Sequence, residues 1–353
     1  SWLRDHRPAL QTLQLTAPFD SAEETTEPLG NLPSIRHLTA WRWQPPSDMA
    51  WLTGLRELDL TRDAPPDMEL LRLLSTCANL ERLAIFTKDA VDTGELLGVI
   101  SPVTLPWLQN MRLVFVSSES AMKLLRRLLA PQCLRRTLSI EDPLDLGQYF
   151  ADYRRFMSLE ENCTDDHSSA RINIERRIGS GVHWEYETGG RKVDFDKLDV
   201  EEAPIIHDLV QEFQNLFKEP SLTVTIKCSS GKVWPFLESL GNQNIQTVVF
   251  RSEYGGLKPD HCLKVIGVRS DSIPDGAMTS TFTDWPFKSL RSIEIRDAKV
   301  DLDDFPRLVE EYLDKRSKPL LEEIVLDNRC FEGMKLTQAA EMLEAIGINL
   351  RVV

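Results

Sequence analysis

Nine times along the chain, three apolar side chains recur at the spacing L-x-x-L-x-L. The frame begins at Leu10-Leu13-Leu15 and returns at Ile35-Leu38-Ala40, Leu55-Leu58-Leu60, Leu80-Leu83-Ile85 and Leu108-Met111-Leu113. It reappears at Ile245-Val248-Phe250, Leu263-Ile266-Val268, Leu290-Ile293-Ile295 and Leu321-Ile324-Leu326. The first five copies start 25, 20, 25 and 28 residues apart. The last two apolar positions of each copy alternate with other residues, which is the period of a strand with one buried face. A lone strand of this kind has nothing to bury that face against. Copies repeated every 20–30 residues or so bury it by stacking side by side, with the intervening chain packed behind.

Some intervals carry a helical stripe. Met122, Leu125, Leu128 and Leu129 form one. Leu302, Phe305, Leu308, Val309, Tyr312 and Leu313 form another, with Asp303 and Asp304 at its N-terminal end, where the helix dipole favours negative charge. The predicted fold class is therefore α/β. It is a leucine-rich-repeat solenoid: a curved, irregular horseshoe with mostly parallel strands on the concave face and helices or loops behind. The irregularity is expected because the Asn or Cys that often follows the last strand leucine by three residues is missing. Pro18 and Asp63 stand there after Leu15 and Leu60, and Cys330 comes one place late after Leu326.

The frame is lost over residues 141–220, which hold 19 Asp/Glu against 9 Lys/Arg and so carry −10 of the chain's net −14. Residues 158–170 (SLEENCTDDHSSA) read as an acidic loop. Residues 171–177, 182–186 and 192–195 alternate like strands, and Thr188-Gly189-Gly190 predicts a hairpin between the last two. A helix is expected over 205–217, where Ile206, Leu209, Val210, Phe213 and Leu216 keep helical spacing, and Leu222-Val224-Ile226 resumes the strands. The stretch is either an elaborated middle of one sheet or a seam between two repeat blocks. The resulting division is 1–140, 141–220 and 221–353, with the two repeat blocks continuous as one solenoid.

No catalytic pattern is present: there is no P-loop, no G-x-G-x-x-G after a strand, no H-E-x-x-H and no G-x-S-x-G. His6, His37, His167, His183, His207 and His261 are scattered singly. Asp165-Asp166-His167, near Glu160 and Glu161, lacks the turn-forming Gly of a rigid cation loop and reads as a solvated acidic stretch. Catalytic, cofactor-binding and metal-binding residues are accordingly expected to be absent. The six cysteines include no CxxC pair. Reduced thiols and a cytoplasmic or nuclear location are expected, despite the sequon Asn162-Cys163-Thr164. A net charge of −14 opposes nucleic-acid or anionic-membrane binding. No apolar run approaches the roughly 20 residues that cross a bilayer.

Surface recognition remains. Residues between and just after the strand leucines point to the concave side: Thr39, Trp41, Asp59, Arg82, Phe86, Arg112, Glu141, Arg251, Glu294, Arg296 and Asp327. Mixed charge with aromatics and arginines is the composition of a protein-binding face. The alternative for Trp41 and Phe86 is cover by neighbouring loops.

The stretches FKSLRSIEIRDAKV (287–300), KPLLEEIVLDNRC (318–330), LPSIRHLTAW (32–41) and WPFLESLGNQNIQTVVF (234–250) resemble the repeats of F-box/leucine-rich-repeat-like proteins expanded in mushroom-forming fungi. WLRDHRPALQTLQL (2–15) is similar to the segment that follows the F-box in that family. The resemblance implies substrate recognition in a cullin–RING ubiquitin ligase, with the repeats holding a protein target and an F-box gripping the ligase adaptor. That F-box lies outside these 353 residues, so the adaptor contact maps to no residue here. Trp2 and Leu3 are expected to pack over the first rung, with a further segment in front. On its own the chain is expected to be a monomer. Two alternatives stay open: a scaffold or regulator with no ligase role, and an enzyme that uses the 141–220 region as its site.

Overall fold

The computed structural model describes residues 10–16, 34–41, 45, 49–61, 67–87, 101–143, 146–157, 170–176, 182–217, 222–227, 236, 240, 244–251, 289–297, 321–327 and 336–353. The chain divides into two compact units, residues 1–166 with 189–196, and residues 167–188 with 197–353.

In the first unit, the leucine frames become short strands: β1 (Thr12–Thr16), β2 (His37–Trp41), β3 (Glu57–Thr61), β4 (Arg82–Phe86), β5 (Val103–Thr104), β6 (Asn110–Ser117), β7 (Leu128–Leu129) and β8 (Arg135–Asp142). The main sheet runs β1-β2-β3-β4-β6-β8 and continues to β11 (Arg191–Leu198), every pair parallel. Register follows the frame. Leu13, Leu38, Leu58, Leu83 and Met111 form one row, and Leu15, Ala40, Leu60, Ile85, Leu113, Leu138 and Val193 the next. From Leu38 to Met111 and from Ala40 to Val193 these side chains are buried, whereas Leu13 and Leu15, at the sheet edge, are half-buried. Each buried leucine contributes on the order of 1.5–3 kcal/mol. The first frame position stays inside too, since Ile35, Leu55, Leu80 and Leu108 are fully buried.

The row through Met111 continues into Arg136 and then Arg191. The frame therefore recurs as Cys133-Arg136-Leu138, 25 residues after Leu108, with a guanidinium where a leucine is expected. Arg136 donates from Nε to Cys133 O (3.0 Å), from Nη1 to Phe156 O (3.1 Å) and from Nη2 to Ala130 O (3.1 Å). Arg191, 3% exposed, donates to Met157 O at 3.2 Å. Bonds of this kind allow a charged group to be buried on an inward face.

Behind the sheet lie a 3-10 turn (Ala50–Gly54) that buries Trp51 and Leu52, α1 (Asp67–Thr76), α2 (Ser118–Leu125) and α3 (Phe150–Met157). Arg36 Nη1 reaches Gly54 O at 3.0 Å, and a Cβ at residue 54 would collide with that same nitrogen. Ser117 caps α2 by accepting from Ser120 N–H, and Glu119 pairs with Lys123 at 2.8 Å. The stripe read as one helix through Leu129 is cut at Leu125. Leu128 and Leu129 pair with β5 instead, where strand hydrogen bonds replace those of a further helical turn. Tyr153 of α3 donates to Ser118 Oγ at 3.0 Å and meets Phe195 edge-on at 5.2 Å.

In the second unit the sheet runs β10 (Val182–Thr188), β9 (Ala170–Arg176), β12 (Leu222–Lys227), β13 (Ile245–Arg251), β14 (Ser292–Arg296), β15 (Glu323–Leu326) and β16 (Asn349–Val352). All pairs are parallel except the antiparallel β9/β10. Its inward rows are Ile172-Val224-Val248-Ile293-Ile324-Leu350 and Ile174-Ile226-Phe250-Ile295-Leu326-Val352. The expected helix is α4 (Ala203–Phe217), and α5 (Leu336–Ala345) precedes the last strand. Trp184, Tyr186 and Phe213 are fully buried, with Tyr186 5.0 Å from Phe213 and 6.3 Å from Trp184. Between β10 and β11 the chain passes through Gly189 (φ 49°) and Gly190 (φ 76°). Both lie in the left-handed region that favours glycine.

Each unit is thus mixed α/β, an open and largely parallel sheet with few helices among the described residues. The frame at Leu263, the helical stripe at 302–313, Cys330, Trp2, Leu3 and the acidic stretch 158–169 lie outside those residues.

Candidate functional site

Because strand side chains alternate, the residues flanking each buried leucine share the other face of the sheet. In-register pairing arranges them in rows across the first unit. One row is Thr12-His37-Glu57-Arg82-Asn110-Arg135, and its neighbour is Gln14-Thr39-Asp59-Ala84-Arg112-Thr137-Lys192. Glu57 is bracketed along its row. His37 Nδ1 lies 2.9 Å from one carboxylate oxygen and Arg82 Nη1 3.0 Å from the other. Asp59 makes no ion pair with any described residue. Burial pushes its carboxyl above the ordinary aspartate range, and the Arg112 charge pulls it partly back. A half-buried carboxylate that feels Arg112 but forms no ion pair with a described residue is poorly explained by stability alone.

These rows surround a shallow depression of about 410 Å³ whose lining includes His37, Thr39, Asp59, Arg82, Arg112 and Arg135. Of the residues singled out in the sequence, Asp59, Arg82 and Arg112 meet here. Arg82 and Arg112 are exposed, and Thr39 is half-buried beside Asp59 in register. Trp41 and Phe86 are half-buried at the C-terminal ends of β2 and β4, outside the depression, and Glu141 is half-buried in β8. Farther along this face, Ser139 donates to Asp194 at 2.5 Å, and Lys192 Nζ lies 3.6 Å from the same carboxylate.

The other four residues belong to the second unit. Arg251 stands opposite Arg296 in register. Arg296 donates to Glu294 Oε2 through Nε (3.1 Å) and Nη2 (2.5 Å), so this guanidinium meets an anion on its own strand. Asp327 follows β15, its N–H on Ile295 O at 3.0 Å. All four side chains are half-buried. Val249 and Val325 flank Glu294 in register and are buried, so this row is less open than the one through Asp59 and Arg112.

His37, Glu57, Asn110 and Arg135 complete the first face but are missing from the residues picked out by sequence. The residue just before the second leucine of each frame has the same parity, but of that row only Arg82, before Leu83, stands among the sequence-derived residues; the identity of its row partners was the available signal.

Cys77 and Cys133 are buried thiols. Burial pushes Cys77 from 9.0 to about 12 and Cys133 from 9.0 to about 11, with Thr76 and Arg136 respectively opposing the shift. In the folded protein at pH 8, both are expected to resist a water-soluble thiol reagent and to react fully in denaturant. Fast labelling of either in the native state would contradict the burial. The raised values keep these thiols protonated in the folded chain. Their contribution to stability is therefore present below pH 9.0 and lost as pH rises through about 11 and about 12.

Among the described residues, no group of three or more His, Cys, Asp or Glu side chains converges as a metal site, and no helix is long and apolar enough to cross a membrane. No family model matches the chain, and no curated protein matches it.

Proposed function

We propose that this chain is a non-enzymatic protein-recognition module, the target-binding repeat region of an F-box-type ubiquitin-ligase receptor, folded as an irregular leucine-rich-repeat solenoid. The observation that carries the reading is the open face of the first unit, where Asp59, Arg82 and Arg112 line one shallow depression. Small-molecule sites are enclosed clefts with a few polar groups, whereas this depression is shallow and bordered by five charged side chains, Glu57, Asp59, Arg82, Arg112 and Arg135. Exposed arginines with aromatics nearby suit a protein surface instead. Repeats at 20–28-residue intervals with in-register inward rows support the solenoid reading.

In this proposal the target sits on the sheet face, and the ligase adaptor is reached only through an F-box encoded upstream. The protein is a cytoplasmic or nuclear monomer without cofactor, and binds neither nucleic acid nor membrane. A scaffold or regulator would use the same face without an adaptor. Adaptor capture by the full natural protein separates the two readings.

The variant W41A/R82A tests the face. It is expected to abolish capture of a protein target identified with the wild-type chain, while lowering stability by only about 1–2 kcal/mol, as for partly exposed positions. Unchanged capture by a folded W41A/R82A protein would overturn the reading.

A further inference from the structure

The charges on the first unit's open face are sorted by strand. Acidic side chains stand on β3 (Glu57 and Asp59), and arginines stand on β4, β6 and β8 (Arg82, Arg112 and Arg135). Glu57 is already bound by His37 and Arg82. Arg112 and Arg135 are exposed and make no ion pair with a described residue. Register fixes their separation. Arg135 lies opposite Asn110, and Arg112 lies two residues farther along the same strand as Asn110. Their Cα atoms are therefore about 8 Å apart from strand spacing and rise, and both side chains border the same depression. Two exposed guanidiniums at that separation, with no ion pair among the described residues and with Arg112 only in longer-range attraction to Asp59, match two carboxylates on an extended segment, where alternate side chains on one face repeat at roughly 7 Å.

We infer that this face seats an extended segment of a partner protein through two of its carboxylate side chains, one on Arg112 and one on Arg135. The inference rests on the recognition reading above and adds the chemical class of the partner. A uniformly anionic polymer is disfavoured, because Glu57 and Asp59 lie two strands from Arg112 and three from Arg135 within a chain of net charge −14. A peptide supplies discrete carboxylates with neutral residues between them.

The test measures fluorescence anisotropy of a labelled twelve-residue Gly/Ser peptide carrying two pairs of glutamates at i and i+2, at low ionic strength, with the full chain. The all-serine peptide, a twelve-nucleotide single strand and inorganic phosphate serve as comparisons. R112E/R135E is expected to weaken glutamate-peptide binding by about tenfold or more, in line with the loss of two exposed charge pairs. R291E/R351E, which makes the same net-charge change on the second unit, is expected to leave binding within twofold. R112Q/R135Q gives an intermediate loss, and decides the matter should the reversal variant not fold. Equal binding by wild type and R112Q/R135Q would overturn the inference. So would an oligonucleotide or phosphate binding as tightly as the peptide. If the peptide fails to bind while W41A/R82A still abolishes capture of the identified target, the acidic class falls and the recognition reading stands.

Discussion

Replacing Arg136 with methionine is expected to destabilise the protein by about 1–3 kcal/mol, the range for leaving partly buried hydrogen-bond acceptors without their charged donor. Three carbonyls accept from this side chain: Cys133 O before β8, Phe156 O near the end of α3, and Ala130 O, which also accepts from Cys133 N–H at 3.2 Å. Methionine restores apolar volume in the Met111 row but supplies no donor. Lysine is expected to recover only part of the loss, since one ammonium cannot reproduce a planar fork directed at three acceptors. Urea denaturation of the wild type, R136M and R136K decides the point. A shift below about 0.5 kcal/mol for R136M would mean that water or neighbouring donors satisfy those carbonyls. The register partner Arg191 provides an internal comparison, because it too donates to a carbonyl of α3, Met157 O at 3.2 Å.

Phe213→Ala is expected to cost about 3–5 kcal/mol, as for an aromatic side chain removed from a close-packed core. Phe213 is fully buried on α4 and packs its ring 5.0 Å from Tyr186, which in turn lies 6.3 Å from the fully buried Trp184. Alanine would leave a cavity among side chains held rigidly by β10. Phe213→Leu keeps most of the volume and is expected to cost about 1–1.5 kcal/mol. Denaturant midpoints measure both variants, and a loss for Phe213→Leu as large as that for Phe213→Ala would show that the aromatic ring itself, and not side-chain bulk, carries the effect.

The inner face of the sheets was legible because it is written as spacing. Leu38, Leu58 and Leu83 each occupy the same place in their frame, and each is buried in the same row. α4 was legible for a similar reason, its apolar residues keeping one helical face. The frame at Cys133-Arg136-Leu138 escaped notice because an arginine at an inward position looks like a surface residue until its acceptors are known. Those acceptors, Phe156 O and Ala130 O, are set by where α3 and the turn before β8 come to rest. β7 escaped for a related reason: Leu128 and Leu129 continue a helical stripe, and only the presence of β5 alongside offers their backbone a better set of partners.

The candidate site divides along the same line. Alternation places Asp59, Arg82 and Arg112 on the outward face from local sequence alone, since parity depends only on the neighbouring leucines. Whether those side chains meet depends on which strands pair and at what offset, and that is a matter of long-range contact. Parallel register places Arg82 beside Glu57 and Arg135 opposite Asn110, leaving Trp41 and Phe86 at the strand ends. Hydrophobic periodicity therefore specified two-faced strands, because burying apolar surface is a short-range demand repeated in every frame. The grouping of charges into one depression came from stacking those strands in register, because the sequence separates its residues by tens of positions and only the folded sheet brings them within reach of one another.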